Sequence, residues 1–491
     1  MIAVSKQKAA GAYYTPDVVV KSLVRWAVRR PSDRMLDPSC GDGRFLAEHA
    51  NSVGVEQDPA AVAAAHERAP GSLIHEGDFF AWADTTEERF ECAAGNPPFI
   101  RYQRFAGEVR ATAQRLCRRH GVKFSSLASS WAPFIIAAAT VLKQGGRMAF
   151  VVPAEIGHAP YATPVLEYLL ANFEVVHVIA VRKRLFPGLS EDCWLLMASG
   201  FGGAATSIRF TAATEFGFSS HPPAPSVVID IGDWRRWRCR LRPFLLSDEI
   251  RELYCSISDA SGASRLADIA RVGIGYVTGA NAFFHLRPSR AKALGIPDSL
   301  LLRSVRNGRS LANGTINTQL VRRWIANDQP VLLMHLTPET PIPRPVAAYL
   351  QSEEADAARE SYKCRSRDPW WSVPDVTVPD AFLSYMSGGS PALVRNEAGC
   401  VATNSVHVVR LTGSMTKLAL MTAWRRPFTR LSCEIEGHPL GGGLLKLEPR
   451  EAGRVVLTSG SPGATRVTDL IADGIEQMRR WRHHGEEAGT V

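Results

Sequence analysis

Four short apolar runs near the N-terminus, each closing on a polar residue, restrict the fold of this 491-residue chain more than any other feature. They are Met35-Leu36-Asp37, Ser52-Val53-Gly54-Val55-Glu56, Leu73 to Asp78, and Phe90 to Gly95 followed by Asn96. Runs of this kind read as strands of an open α/β sheet, the Phe90 to Gly95 run as a buried one. Ligands of such sheets bind beyond the C-terminal ends of the strands, where these polar residues stand.

The first run leads into Pro38-Ser39-Cys40-Gly41-Asp42-Gly43-Arg44-Phe45-Leu46. Gly41 and Gly43 allow a tight turn and close approach to a ligand. A helix opening at Gly43 to Leu46 is expected to aim its free N–H groups at that ligand. A third glycine at dinucleotide spacing and a Gly-Lys-Ser/Thr are both missing, which argues against pyrophosphate or ATP binding. Glu56, at the tip of the second strand, suits ribose hydroxyls, and Asp78 is placed to accept from an adenine amino group. Phe79 or Phe80 could pack on that ring. Any one of these acids could equally be a helix N-cap. Their occurrence at successive strand ends, followed by Asn96-Pro97-Pro98-Phe99 at a fourth, is hard to assign to capping. That tetrapeptide can hold a planar amine. The prolines fix the backbone, the Asn96 amide oxygen and the Pro97 carbonyl each accept one N–H, and Phe99 offers a stacking face.

Together these residues resemble the S-adenosylmethionine-dependent amino methyltransferases, and within them the N6-adenine DNA methyltransferases. The resemblance implies a Rossmann-like α/β methyltransferase sheet with S-adenosylmethionine as cofactor. Motif by motif, it assigns Asp37, Pro38, Gly41 and Gly43 to the cofactor turn, Glu56 to the ribose, and Asp78 with Phe79 to the adenine of the cofactor. Asn96, Pro97, Pro98 and Phe99 form the implied catalytic set, with Asn96 also touching the cofactor. Gly11-Ala12-Tyr13-Tyr14-Thr15-Pro16 resembles the segment that closes over the methionine end, so Tyr13, Tyr14, Thr15 and Pro16 join the cofactor contacts. Phe186 matches the family's second aromatic, on the far side of a flipped-out base. Cofactor segments first, the tetrapeptide next and a long C-terminal region last is the gamma order of the family. It implies direct in-line methyl transfer to N6, without a cysteine nucleophile or a metal.

Further along, Leu127 to Leu142 reads as a buried helix ended by Gly145-Gly146, and Arg147 to Pro153 as a buried strand. Val175 to Val181 and Asp192 to Ser199 read as the last two strands. His221-Pro222-Pro223-Ala224-Pro225 looks like a linker, which puts a cofactor-binding and catalytic domain at residues 1–225 and a mixed α+β target-recognition domain at 226–491. Trp234-Arg235-Arg236-Trp237-Arg238-Cys239-Arg240-Leu241-Arg242 interleaves arginine with tryptophan, as phosphate pairing and base stacking would use it, or a solvated amphipathic segment would. Basic clusters recur at 303–309, 363–371 and 425–430. Gly273 to Phe284, Ala402 to His407 and Gly441 to Pro449 resemble target-recognition segments of the gamma enzymes. A net charge of +9 suits a polyanionic partner, here double-stranded DNA.

Nine scattered cysteines form no zinc pattern and fit a reducing, cytoplasmic setting; no apolar stretch reaches membrane-spanning length. The reading is thus the modification half of a restriction-modification or defence system, any endonuclease being a separately encoded partner. RNA adenine and protein glutamine methylation stay open beside it, as does a non-catalytic DNA-binding regulator.

Overall fold

The computed structural model describes residues 15–186, 191–311, 314–413, 415–460 and 465–485. The apolar runs form the centre of one sheet. β1 (Met35–Asp37), β2 (Ser52–Glu56), β3 (Leu73–Glu76), β4 (Phe90–Gly95) and β5 (Leu142–Pro153) run parallel. β6 (Phe173–Val181), β7 (Cys193–Phe201), β8 (Ser207–Ala213) and β9 (Val227–Asp230) extend it in the order β3-β2-β1-β4-β5-β7-β6-β8-β9. β7 is antiparallel to both β5 and β6. From β1 the chain winds outward through β2 and β3, then returns to β4 on the other side of β1. That reversal is a topological switch point, and it opens a crevice beyond the C-terminal ends of β1 and β4.

Among the described residues of this unit seven α-helices accompany the sheet: α1 (Asp17–Ala27), α2 (Pro59–Arg68), α3 (Phe79–Thr85), α4 (Gly107–Arg119), α5 (Trp131–Thr140), α6 (Thr163–Asn172) and the short α7 (Ile231–Arg236). In α1, Val19, Val20, Leu23, Val24 and Ala27 recur at helical spacing and pack into one core cluster with Met35, Cys92, Ala94, Ala149 and Val151. Trp131 to Ala139 of α5 are all buried, as befits a helix apolar on every side.

Several expectations are corrected here. No α-helix opens at Gly43: residues 41–45 form turns that lead to a single 3-10 turn, Leu46–Glu48. Gly43 has φ +81°, and a Cβ there would come within 2.9 Å of the Ala65 backbone in α2, so the loop is fixed by packing on α2. β3 stops at Glu76, short of Asp78. The helix expected to run to Gly145-Gly146 stops at Thr140, because those glycines lie in β5, where its register with β4 shifts. Asp192 to Ser199 is not the last strand. β8 and β9 follow, and the proline-rich 221–225 stretch is the loop joining them.

The chain accordingly divides into two compact units between Leu245 and Leu246 rather than at residue 225. Trp234 and Trp237 are 1% and 8% exposed, and Arg240 and Arg242 are buried with them. The Leu241 N–H donates to the Gly157 carbonyl, 2.9 Å away. These indoles belong to the core of the first unit and cannot stack on a base.

The second unit is mixed α+β. Its largest sheet has the order Ala270–Ile274, Val406–Leu411, Ala381–Ser384, Leu393–Asn396, Thr315–Ile316. Of the three recognition-like segments, the first two meet beside this sheet, and the third, whose strand Leu444–Lys446 belongs to a separate three-stranded sheet, touches the second. Tyr276 bridges to Thr403, and His407 Nε2 lies 2.7 Å from the Leu447 carbonyl. In the basic clusters, Trp370 and Trp371 pack against a core and Phe428 is 1% exposed, whereas Arg303, Arg309, Arg365, Arg425 and Arg430 are exposed.

Candidate active site

The crevice at the switch point holds a cavity of about 320 Å³, within the range of small-molecule sites. Its wall is assembled from successive strand ends. β1 contributes Asp37 and the turn Pro38-Ser39-Cys40-Gly41-Asp42; β2 contributes Glu56; Asp78, Phe79 and Phe80 follow β3; Asn96 and Pro98 follow β4. Thr15, buried just ahead of α1, also lines it.

Hydrogen bonds tie these loops together. The Gly41 N–H donates to Glu56 Oε2 at 3.0 Å, while Glu56 Oε1 accepts from the N–H groups of Gln57 and Asp58 at 2.8 and 2.9 Å. The Ser39 hydroxyl donates to the Asn96 carbonyl at 3.2 Å, linking the glycine turn to the tetrapeptide. Asp78 caps α3 by accepting from the Ala81 N–H at 2.9 Å, so it is an N-cap and a cavity residue at once. One wall is aromatic. Phe134 lies 5.0 Å from Phe79 and 4.7 Å from Phe80 between ring centroids, and Phe105 adjoins Phe80 at 6.1 Å. A flat base has an apolar face to rest on, with carboxylates at its edges.

Asp37 dominates the electrostatics. Burial pushes its carboxyl up to about 8, against the hydrogen bond from the Ser39 N–H and with the neighbouring Glu56 and Asp42 adding to the rise. Its Oδ1 sits over Gly95, where a Cβ would come within 2.6 Å. Burial also raises the pKa of Asp78 and of the Cys40 thiol. Asp42 is held by Arg44 and Arg68 at 3.2 and 2.5 Å.

Of the residues expected at the site, Thr15, Asp37, Pro38, Gly41, Glu56, Asp78, Phe79, Asn96 and Pro98 line this one cavity. Gly43 lies behind the turn, Pro97 is buried, and Pro16 is the residue ahead of α1. Tyr13 and Tyr14 lie outside the described residues. Phe99 is partly buried against the core cluster that contains Phe186, itself 7% exposed, and neither lines the cavity. Phe186 packs there beside Leu185, Val181 and Cys193 because the Arg184-Leu185-Phe186 loop turns its apolar side chains inward.

Sequence reading missed Ser130. Its hydroxyl donates to the Pro98 carbonyl and accepts the Ile100 N–H at 2.9 Å, clamping the tetrapeptide from the start of α5. Ser39, Phe105 and Phe134 were also missed. Phe134 stands one helical turn after Trp131 in a wholly apolar helix, and nothing in that pattern separates a cavity wall from a core.

Sequence comparison covers both halves. The N-6 DNA methylase family matches residues 1–199, and the C-terminal domain of type II methyltransferase M.Eco57I matches residues 240–484. Type II methyltransferase M.XamI of Xanthomonas campestris pv. amaranthicola is 25% identical over 473 residues, 92% of this chain and 85% of that one. Type II methyltransferase M.AccI of Acinetobacter calcoaceticus is 19% identical over 476 residues, again 92% and 85%. Among solved structures, the type IIL restriction-modification enzyme MmeI in complex with DNA matches 92% of this chain with a TM-score of 0.53 and 12% identity. The chain spans 64% of MmeI, less than two thirds, and that likeness bears on the fold alone. With an open α/β sheet, a cavity at its switch point and family matches on both halves, the chain belongs to the N6-adenine DNA methyltransferases of type II restriction-modification systems, whose cofactor is S-adenosylmethionine.

Proposed function

We propose that this chain methylates N6 of an adenine rotated out of double-stranded DNA at a specific site, by direct in-line transfer. The observation that carries this reading is the placement of Asn96 and Pro98 just beyond the end of β4, lining the same cavity as Asp37, Glu56 and Asp78. The unit ending at Leu245 performs the transfer, and the unit from Leu246 reads the target. A separately encoded endonuclease, or another defence component, acts on DNA that lacks the mark.

The cavity suits the cofactor. Glu56 faces the ribose hydroxyls, Asp78 takes the amino group of the cofactor's adenine, and Phe79 with Phe134 supports that ring. Bound there, S-adenosylmethionine supplies an electrophilic methyl group on a sulfonium. The protein positions the acceptor. An adenine stacked in a duplex hides its amine, and extruding it costs a few kcal/mol. The Asn96 amide oxygen and the Pro97 carbonyl then each accept one N6–H, while the accessible part of Phe99 supplies stacking surface. With both hydrogens held, N6 can move towards tetrahedral geometry and its lone pair can leave the ring. These acceptors also favour the positive charge that develops on N6, and the surplus proton departs to water. Positioning and preorganised acceptors provide the rate enhancement.

Asn96→Ala tests the assignment. Transfer should fall by about 100-fold or more, the scale seen when one preorganised polar group is removed, a larger factor than the loss of cofactor affinity measured calorimetrically for the same variant. Transfer by Asn96→Ala at the wild-type rate would overturn it.

A further inference from the structure

Basic side chains are concentrated in one segment that the chemistry above leaves unused. From residue 101 to 123 stand Arg101, Arg104, Arg110, Arg115, Arg118, Arg119 and Lys123, against Glu108 alone. Seven positive charges less one negative give +6, in a chain whose total is +9. The segment starts one residue beyond the tetrapeptide, after Ile100, and its Phe105 and Val109 line the cavity.

Packing turns most of this charge outward. α4 buries Thr112, Ala113, Leu116 and Cys117, which leaves Arg115, Arg118 and Arg119 on its exposed face, where they border one hollow together with Asp84. Arg110 instead donates to the Ser126 carbonyl at 2.6 Å and fixes the segment in place. Some of the charge is met locally, Arg101 by Glu191, Arg115 by Glu108 and Arg119 by Asp84. Arg104, Arg118 and Lys123 are exposed and have no acidic partner among the described residues. Tyr102, 37% exposed, stands beside Arg101 and Arg104.

A thirteen-residue helix is about 20 Å long, and a duplex carries one phosphate charge per ~1.7 Å of axis. Like charges held this close repel one another, and a polyanion of that pitch relieves the repulsion by releasing its counterions. We propose that the segment from Arg101 to Lys123 is a DNA-backbone contact surface of the catalytic unit itself. It grips the phosphates flanking the adenine delivered to the cavity, with Tyr102 packed against the neighbouring unstacked nucleotide. The contact is independent of target sequence, because phosphates carry none. It rests on the reading of DNA as substrate.

The test is the salt dependence of duplex DNA binding by the full chain carrying Arg104→Glu, Arg118→Glu and Lys123→Glu together. The control reverses three exposed charges elsewhere on the same unit, Lys21→Glu, Arg25→Glu and Arg209→Glu. Lysine- and arginine-to-alanine versions of the first triple serve as a milder set, and retained cofactor affinity certifies folding in each. The first triple should bind DNA more weakly, and its plot of log affinity against log salt should be shallower by about 2 to 3, close to one for each phosphate no longer neutralised. The control triple should leave the slope unchanged. Equal slopes in all three proteins, or equal loss in both triples, would overturn the surface while leaving DNA as substrate. A wild-type protein that methylates RNA or protein and does not bind duplex DNA would overturn both.

Discussion

Ser130→Ala probes how the tetrapeptide is held. Ser130 is 1% exposed, and its hydroxyl both donates to the Pro98 carbonyl and accepts the Ile100 N–H at 2.9 Å. Alanine removes both bonds and leaves an amide and a carbonyl facing a methyl group. At about 0.5–1.5 kcal/mol net per bond, the loss is about 1–3 kcal/mol. If the clamp matters chiefly for presenting the Asn96 and Pro97 acceptors, that loss appears as transition-state stabilisation. The single-turnover rate at saturating DNA and cofactor should then fall by roughly 5- to 150-fold. The Ser130 hydroxyl bonds the backbone at Pro98 and Ile100 and not the carboxylates of Glu56 or Asp78. Cofactor affinity should therefore stay within about threefold, roughly 0.6 kcal/mol. Rapid-quench transfer kinetics and calorimetry separate the two quantities. A variant that transfers methyl groups at the wild-type rate would refute the clamp, and would mean that the two prolines alone fix the loop.

Two other outcomes follow from the same site. Gly95→Ala would place a methyl group within 2.6 Å of Asp37 Oδ1, against a carboxyl group that is itself buried; overpacking of this kind costs about 1–3 kcal/mol, and urea denaturation together with cofactor titration should show lowered stability and weakened binding. Asp37 titrates near 8 in the folded chain, against an ordinary value of 3.8. A raised carboxyl contributes stability that is fully present below about pH 4 and is lost as pH rises through 8. Cofactor-free protein should therefore lose stability across that window, and Asp37→Asn should flatten the profile in pH-dependent thermal denaturation. A cationic cofactor near this carboxyl favours the ionised form, so its binding below pH 8 should release a proton, measurable by calorimetry in buffers of different ionisation enthalpy.

The catalytic strand was legible in the sequence because its determinants are local. Phe90 to Gly95 is apolar and ends at a proline pair, and the strand is found with those bounds. Glu56 closes β2 for the same reason. The failures are cases where packing elsewhere decides. Gly43 looked like a helix opening, but its conformation is set by Ala65, which no local pattern reveals. β8 and β9 are joined by a proline-rich loop that composition alone cannot tell from a linker. Trp234 and Trp237 drew attention through the arginines between them; their three-residue spacing, which puts both indoles on one side of a helical turn, was the better signal and points to the core. The family resemblance assigns Phe186 to the far side of a flipped-out base, yet it is buried with Leu185 in a core cluster, which the local pattern does not reveal. Ser130 has no signature at all, since a serine ahead of an apolar helix is an ordinary capping position.

The most direct measurement of the central claim is the identity of the methylated product. Purified protein would be incubated with methyl-labelled S-adenosylmethionine and unmethylated duplex DNA, total RNA or cell-extract protein, and the products hydrolysed and resolved, with Asn96→Ala as the control. The account expects label in DNA as N6-methyladenine and its loss in Asn96→Ala. Label in cytosine, RNA or glutamine would contradict it, and so would N6-methyladenine formed equally well without Asn96.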